Sequence, residues 1–248
     1  MQLRQKQPAS GAQAPVAEQL VSLHAPASFE ADQYRALRLT LELRRTGGLQ
    51  VVAVTSPCPA DGKSITALNL AGTLAQARDA HVLIVDADLR RPSVARYLGL
   101  DAQSTPGLAE ALLQPTFELP QLVRHLERFN LSVLAAGTPQ STPYELLNSP
   151  RVEELLVDAR RAYDYVVIDT SPLLPFPDAR LLGRYVDGYF LTVAAHRTPR
   201  KMLTDGLSLL DPAKVLGVIF NGDDQPRSTH SGYYDYYTRH ERAAQRGW

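Results

Sequence analysis

Cys58 is the only cysteine in 248 residues, so no intrachain disulfide can form and a reducing compartment is the natural setting. Net charge is also missing. The 26 Lys and Arg residues balance 26 Asp and Glu, which removes the global signature of a nucleic-acid binder. Long apolar runs are absent too: stretches such as VLIV (82–85) and VLGVIF (215–220) are far too short to cross a bilayer. The start, MQLRQKQPASGAQAPVAEQ, has no apolar signal-peptide core. The expectation is a soluble, cytoplasmic protein that meets a membrane only through a partner. What is present, 44% hydrophobic and 21% charged residues, is ordinary globular composition and enough for one large domain.

Residues 1–27 are rich in Gln, Ala and Pro and read as a mobile arm; residues 28–222 read as the folded domain, and 223–248 as a flexible tail. FEADQYRALRLTLELRR (29–45) lacks Gly and Pro, and its length and helix-forming residues favour a helix. Apolar runs then alternate with helical patterns. Strands are expected at 49–55, 81–86, 131–136, 164–169, 188–194 and 215–220. Helices are expected at 63–78, 107–113, 143–162 with a break near Pro150, 178–184 and 199–210. Strands of unalternating Val, Ile and Leu are buried on both faces, so the sheet should be mainly parallel. The fold class is therefore α/β, a doubly wound sheet flanked by helices of the P-loop NTPase kind, with ligands beyond the carboxyl ends of its strands.

Three strand ends carry chemistry. The first strand runs into SPCPADGKSI, where Gly62-Lys63-Ser64 opens a helix. In a P-loop the backbone N–H groups of such a turn hold phosphate oxygens, the lysine reaches the β/γ-phosphates and the hydroxyl can ligate Mg²⁺. The loop residues Pro59, Ala60, Asp61, Gly62, Lys63, Ser64 and Ile65 are the candidate phosphate cradle. The full pattern wants glycine at position 57, where this chain has Pro57, and taken alone Gly-Lys-Ser also fits an ordinary surface turn. The second strand ends in VLIVDADLRRP, placing Asp86 and Asp88 two residues apart; alone they also fit a solvated loop. Two carboxylates so close repel unless a cation or proton lies between them. The fourth strand, YVVIDTSP, delivers Asp169 in the Walker B manner. Together these ends form a candidate Mg²⁺–nucleotide site, with Ser64, Asp88 and Asp169 on the metal side and Asp86 as candidate base.

Tyrosine is concentrated where no core can use it. Tyr233, Tyr234, Tyr236 and Tyr237 fall within five residues of the polar tail, in a chain with 11 tyrosines. A tyrosine hydroxyl is protonated at neutral pH and benefits from a base, so the tail supplies candidate phosphoryl acceptors.

With these residues in view, the sequence resembles the bacterial tyrosine kinase (BY-kinase) family in its separate-cytoplasmic-subunit form, the CpsD/CapB type, over about Phe29 to Tyr237. The family's Walker A loop often lacks the first Gly and carries a Pro where Pro59 stands; its Walker A′ and Walker B motifs match VLIVDADLR and VVIDTSP. The resemblance implies an ATP- and Mg²⁺-dependent autokinase that governs capsule or exopolysaccharide synthesis. It implies a ring-shaped homo-oligomer in which each tail enters a neighbour's active site. It implies two further partners, a transmembrane polysaccharide co-polymerase that activates the kinase and a protein-tyrosine phosphatase. A Glu-x-x-Arg-x-x-Arg helix supports the family's ring; here it reads Asp32-x-x-Arg35-x-x-Arg38, with a shorter acid, and spacing alone equally suits a solvated helix face. Asn221 is placed near adenine by analogy, or is a turn-former before Gly222. Ala60 stands where a Gly is common.

Two other readings use the same residues. A ParA/MinD-like ATPase would share the sheet and aspartates, but its loop carries a second lysine where this chain has Cys58. A non-catalytic nucleotide-binding subunit could display the tail as a docking peptide, although intact Lys63, Ser64, Asp86, Asp88 and Asp169 argue against it.

Overall fold

Runs of Val, Leu and Ile without polar alternation satisfy a strand that is covered on both faces. In the computed structural model, which describes residues 15–45, 48, 50–101 and 106–223, they form such a sheet. Its strands are β1 (Val51–Thr55), β2 (Val82–Asp86), β3 (Arg124–Leu126), β4 (Leu131–Leu134), β5 (Tyr165–Asp169), β6 (Gly188–Ala194) and β7 (Val215–Asn221). They lie in the order β3-β4-β2-β5-β1-β6-β7. All neighbours are parallel except β3, which pairs antiparallel with β4. Every residue of β1, β2 and β5 is buried.

Ten α-helices are assigned among the described residues: α1 (Val21–His24), α2 (Phe29–Arg45), α3 (Lys63–Leu74), α4 (Val94–Tyr97), α5 (Leu108–Leu113), α6 (Leu119–Leu122), α7 (Pro143–Leu147), α8 (Pro150–Ala162), α9 (Asp178–Leu181) and α10 (Arg200–Ser208). The doubly wound architecture agrees with the sequence expectation, including the break at Pro150 between α7 and α8. Proline at that first helical position loses nothing, because its N–H would be unpaired there, and the Ser149 hydroxyl accepts from Arg151 N at 3.1 Å. No helix among the described residues is long and apolar enough to cross a membrane.

The strand β3 was not expected. Its sequence, RHL, is short and polar, and it is held by pairing with β4 rather than by its own pattern. The arm is a second difference. Residues 15–27, read from composition as mobile, pack over α3. Leu20 is fully buried in the cluster that contains Leu41, Leu68 and Phe190. Burying one such side chain contributes about 1.5–3 kcal/mol. Polar groups on α3 complete the seat: Asn69 Oδ1 accepts from Ser22 N (2.9 Å), and Asn69 Nδ2 donates to Gln19 O (2.9 Å). Gln76 Nε2 donates to Ser22 O (3.1 Å).

Helix α2 turns Ala31 and Leu41 inward. Asp32, Arg35 and Arg38 do not act as one set there. Asp32 and Arg35 pair with each other, whereas Arg38 bonds Glu42 (2.7 Å) and the Thr73 carbonyl at the end of α3 (3.0 Å). The tail tyrosines 233, 234, 236 and 237 lie outside the described residues.

Candidate functional site

The turn from β1 into α3 needs glycine for two reasons. Gly62 has φ +94°, and a Cβ there would fall 1.9 Å from Asn221 Nδ2. Asp61, 2% exposed, ties the loop down: it accepts from Cys58 N (3.1 Å) and from Thr198 Oγ1 (2.7 Å), while its carbonyl accepts from Asn221 Nδ2 (3.2 Å). Ala60 holds φ +64° without being glycine. That conformation costs an L-residue roughly 1–2 kcal/mol, against which glycine's extra freedom in the unfolded chain weighs about 0.5–1 kcal/mol. Ala60→Gly is therefore expected to stabilise the fold by roughly 0.5–1 kcal/mol, read as a higher urea midpoint; a lower midpoint would show that the loop is not strained at Ala60.

Behind the loop, Asp86 and Asp169 are register partners on β2 and β5, so the two carboxylates end neighbouring strands side by side. Lys63 Nζ lies 2.7 Å from Asp88 Oδ2, 3.6 Å from Asp169 Oδ1 and 3.3 Å from Ser64 Oγ. Burial alone would depress the lysine, but Asp169 and Asp88 outweigh it and push the ammonium up to about 12. Burial, and then the facing Asp169, push Asp86 up to about 7. Burial likewise raises Asp169 above the ordinary carboxylate range, against the pull of Lys63.

The three aspartates are held differently. Asp86 Oδ2 accepts from Ser93 N (2.9 Å) and Val94 N (3.0 Å) at the start of α4, and Oδ1 accepts from Asp88 N (3.2 Å). A carboxylate has about four lone-pair sites, so one remains on Oδ1. Asp88 spends Oδ1 on Arg91 N (3.1 Å) and Oδ2 on Lys63. Asp169 is fully buried and neither oxygen has a hydrogen-bond partner among the described residues. A buried carboxylate with no hydrogen bond and only the Lys63 ammonium at 3.6 Å, with a second carboxylate and a hydroxyl nearby, suits a hard cation. Among the described residues no three or more His, Cys, Asp or Glu side chains gather as a metal cage. Mg²⁺ does not require one, since it is usually held by one or two carboxylates plus phosphate oxygens and water.

A cavity of about 370 Å³ opens beside the loop. Ala60, Gly62, Lys63, Ser64, Ile65 and Asn221 line it, together with Tyr97, Ala194, Ala195, Arg197 and Gly222. Pro59 is exposed and not part of its wall. Asn221 thus sits both on the cavity and before Gly222, whose φ is +70°. The sequence reading missed Tyr97, Arg197 and Thr198. The available signal for the last two was their place just after β6, a buried strand whose carboxyl end faces the same region.

Below the aspartates lies a clamp that spacing did not reveal. Arg90, from the β2–α4 loop, donates to Asp178 at the start of α9 through Nε (2.6 Å) and Nη2 (3.1 Å). Asp178, 1% exposed, also accepts from Ser171 Oγ (3.2 Å), and the Phe176 ring lies 4.3 Å under the guanidinium. The pair joins the loop after β2 to the loop after β5. Arg90→Ala would leave Asp178 buried with one hydroxyl partner, and about 3 kcal/mol of stability should be lost. Urea unfolding reads this directly, and an unchanged midpoint would remove the clamp as a structural element.

Comparisons with known proteins bear on the same region. An AAA domain family model matches residues 50–181. The tyrosine-protein kinase YwqD of Bacillus subtilis is 35% identical over 218 residues, covering 87% of this chain and 90% of YwqD. The succinoglycan biosynthesis transport protein ExoP of Rhizobium meliloti is 36% identical over 214 residues, 82% of this chain but 26% of ExoP, so the chain spans about a quarter of that relative. Among solved structures, the kinase domain of the Escherichia coli tyrosine kinase ETK superposes with a TM-score of 0.79 at 28% identity, covering 90% of this chain and 86% of that one.

Proposed function

This chain belongs to the bacterial tyrosine-protein kinase family, and from that premise we propose that it is an ATP- and Mg²⁺-dependent protein-tyrosine autokinase. Its acceptors are Tyr233, Tyr234, Tyr236 and Tyr237 on the tail of a second copy, and it serves a system that makes and exports exopolysaccharide. The observation that carries the reading is that Lys63 and Ser64 line the cavity while Lys63 also meets Asp88 and the buried Asp169, which has no hydrogen bond and is the register partner of Asp86.

Mg²⁺ held by Ser64, Asp88 and Asp169, directly or through water, would neutralise charge on the β/γ-phosphates. The loop from Pro59 to Ile65 offers backbone N–H groups at the start of α3, and Asn221 and Arg197 bound the rest of the cavity. Lys63 can exchange its carboxylate partners for phosphate oxygens without leaving the cluster. Asp86, raised by burial and Asp169, accepts or steers the tyrosine proton through the lone pair left on Oδ1. Asp32, Arg35 and Arg38 serve assembly into a ring, with the solvent-accessible Asp32–Arg35 pair exchanging its mutual contact for a neighbour while Arg38 braces α2 on α3. A membrane-spanning co-polymerase would recruit and activate the kinase at the inner face of the membrane, and a tyrosine phosphatase would reset it.

The test mixes two full-length chains with Mg-ATP. One carries Lys63→Met and the other has the four tail tyrosines changed to Phe. Mass spectrometry should find phosphate on the Lys63→Met tail. Labelling in wild type but not in the mixture would mean a reaction within one chain. No tail phosphate in wild type that binds nucleotide would favour a non-catalytic subunit instead.

A further inference from the structure

A second cavity, about 500 Å³, lies at the other end of β6 and β7 from the phosphate loop. The loop cavity touches Ala194 and Asn221, where these strands finish; the second touches Tyr189 and Lys214, where they begin. Its size falls in the range of small-ligand pockets. The floor is apolar, with Leu181 and Leu209, and exposed Tyr144 forms one wall.

The rim is cationic. Arg180 and Arg184 are exposed and four residues apart on the helical stretch from α9 through the 3₁₀ turn Leu182–Arg184, a spacing that sets both on one side. The Arg180 side chain has no hydrogen-bond or ion-pair partner among the described residues, and Arg184 has one 3.3 Å bond to Asn148. Lys214 spends two donors on the Gly183 and Val186 carbonyls and keeps a third. The opposing carboxylate, Asp211, is turned to cap its own turn at Ala213 N (2.9 Å). Three cations against one carboxylate leave a formal charge of +2 around an aromatic and aliphatic floor. That combination matches an aryl group bearing a phosphate better than a bare anion, because arginine forks bind phosphate oxygens while the floor covers the ring.

We propose that this pocket docks a phosphotyrosine of the chain's own tail. The inference rests on the autokinase reading and adds to it a place where the modified tail is held. Each phosphate adds roughly −1.5 to −2 at neutral pH, so four would bring about −6 to −8 to one tail. Such a tail is repelled by the carboxylates of the kinase site and attracted by the basic rim. Reach permits docking within one chain. The tail leaves β7 at its far end, about 23 Å from the pocket for a seven-residue strand. Tyr233 stands ten residues beyond Asp223 (233 − 223) and can extend up to about 33 Å.

The experiment titrates the full-length chain carrying all four Tyr→Phe changes with a fluorescent synthetic peptide of residues 228–241, phosphorylated on its tyrosines. The phosphopeptide should bind at least tenfold more tightly than its unphosphorylated form. Arg180→Glu with Arg184→Glu should weaken it tenfold or more, while nucleotide binding and thermal midpoint stay unchanged; Arg180→Gln with Arg184→Gln should give a smaller loss in the same direction. Free phosphotyrosine should compete, and ADP should not. Four results would overturn the proposal: equal binding of the unphosphorylated peptide, binding that survives charge reversal, displacement by ADP, or tighter binding to phosphatidylserine vesicles than to the phosphopeptide. Because the phosphates come from synthesis, a chain that fails to phosphorylate itself leaves this titration intact, so the two readings fail separately.

Discussion

Lys63→Met should lower tail phosphorylation by a factor on the order of 10²–10³, the loss typical when one preorganised charge is taken from a transition state. Lys63 is the cation nearest both Asp88 and Asp169, at 2.7 and 3.6 Å. Methionine keeps the length and the packing of the stem but supplies no charge for phosphate. The fold should persist, since the sheet and α3 do not depend on the ammonium; circular dichroism should be unchanged. The buried carboxylates left behind will take up protons more readily, so the variant's stability should fall off faster as pH rises. A Lys63→Met chain that labels its own tail at the wild-type rate would show that the phosphate site has been placed on the wrong loop.

Asp169→Asn should move stability and activity in opposite directions. Asp169 is fully buried, and neither oxygen has a hydrogen-bond partner among the described residues. Removing that charge in metal-free buffer is expected to stabilise the fold by about 1–3 kcal/mol, while phosphoryl transfer drops at least a hundredfold. Wild type should gain thermal stability from Mg²⁺ with nucleotide, and the variant should lose that gain. The pH dependence has a definite sign. A carboxyl whose folded pKa is raised contributes fully below its unfolded value, near 4, and loses that contribution as pH climbs through the folded value. Burial raises Asp169, and its partner Asp86 is pushed up to about 7. The variant's advantage should therefore vanish in acid and grow toward and above neutral pH. A variant less stable than wild type at pH 8 without metal would mean that Asp169 is already compensated.

The strands with both faces covered were the most legible part of the fold, because a buried parallel strand must be apolar at every position. The chemistry at their ends was legible for a related reason. A charged residue directly after VLIV or YVVI has few places to go except the carboxyl edge of the sheet. What stayed hidden depends on partners far along the chain. Asp61 is an unremarkable loop residue until Thr198 and Asn221, more than a hundred positions away, close on it. Residues 15–27 look disordered by composition, yet Asn69 and Gln76 supply the bonds their backbone needs. The trio on α2 shows the converse. Spacing put Asp32, Arg35 and Arg38 along one side, but the Thr73 carbonyl draws Arg38 inward.

By itself the sequence determined that a nucleotide loop, two further acidic strand ends and a tail of clustered tyrosines belong to one chain, since each is a local pattern with a local physical cause. Tertiary structure alone decided how the charges are distributed among them. Register sets Asp86 beside Asp169, Lys63 leans to Asp88, and Asp169 keeps only a longer ion pair to that lysine and no hydrogen bond. It also decided that the beginnings of β6 and β7 frame a basic pocket far from the loop. Electrostatics depends on distance and burial, and neither is written in the order of residues.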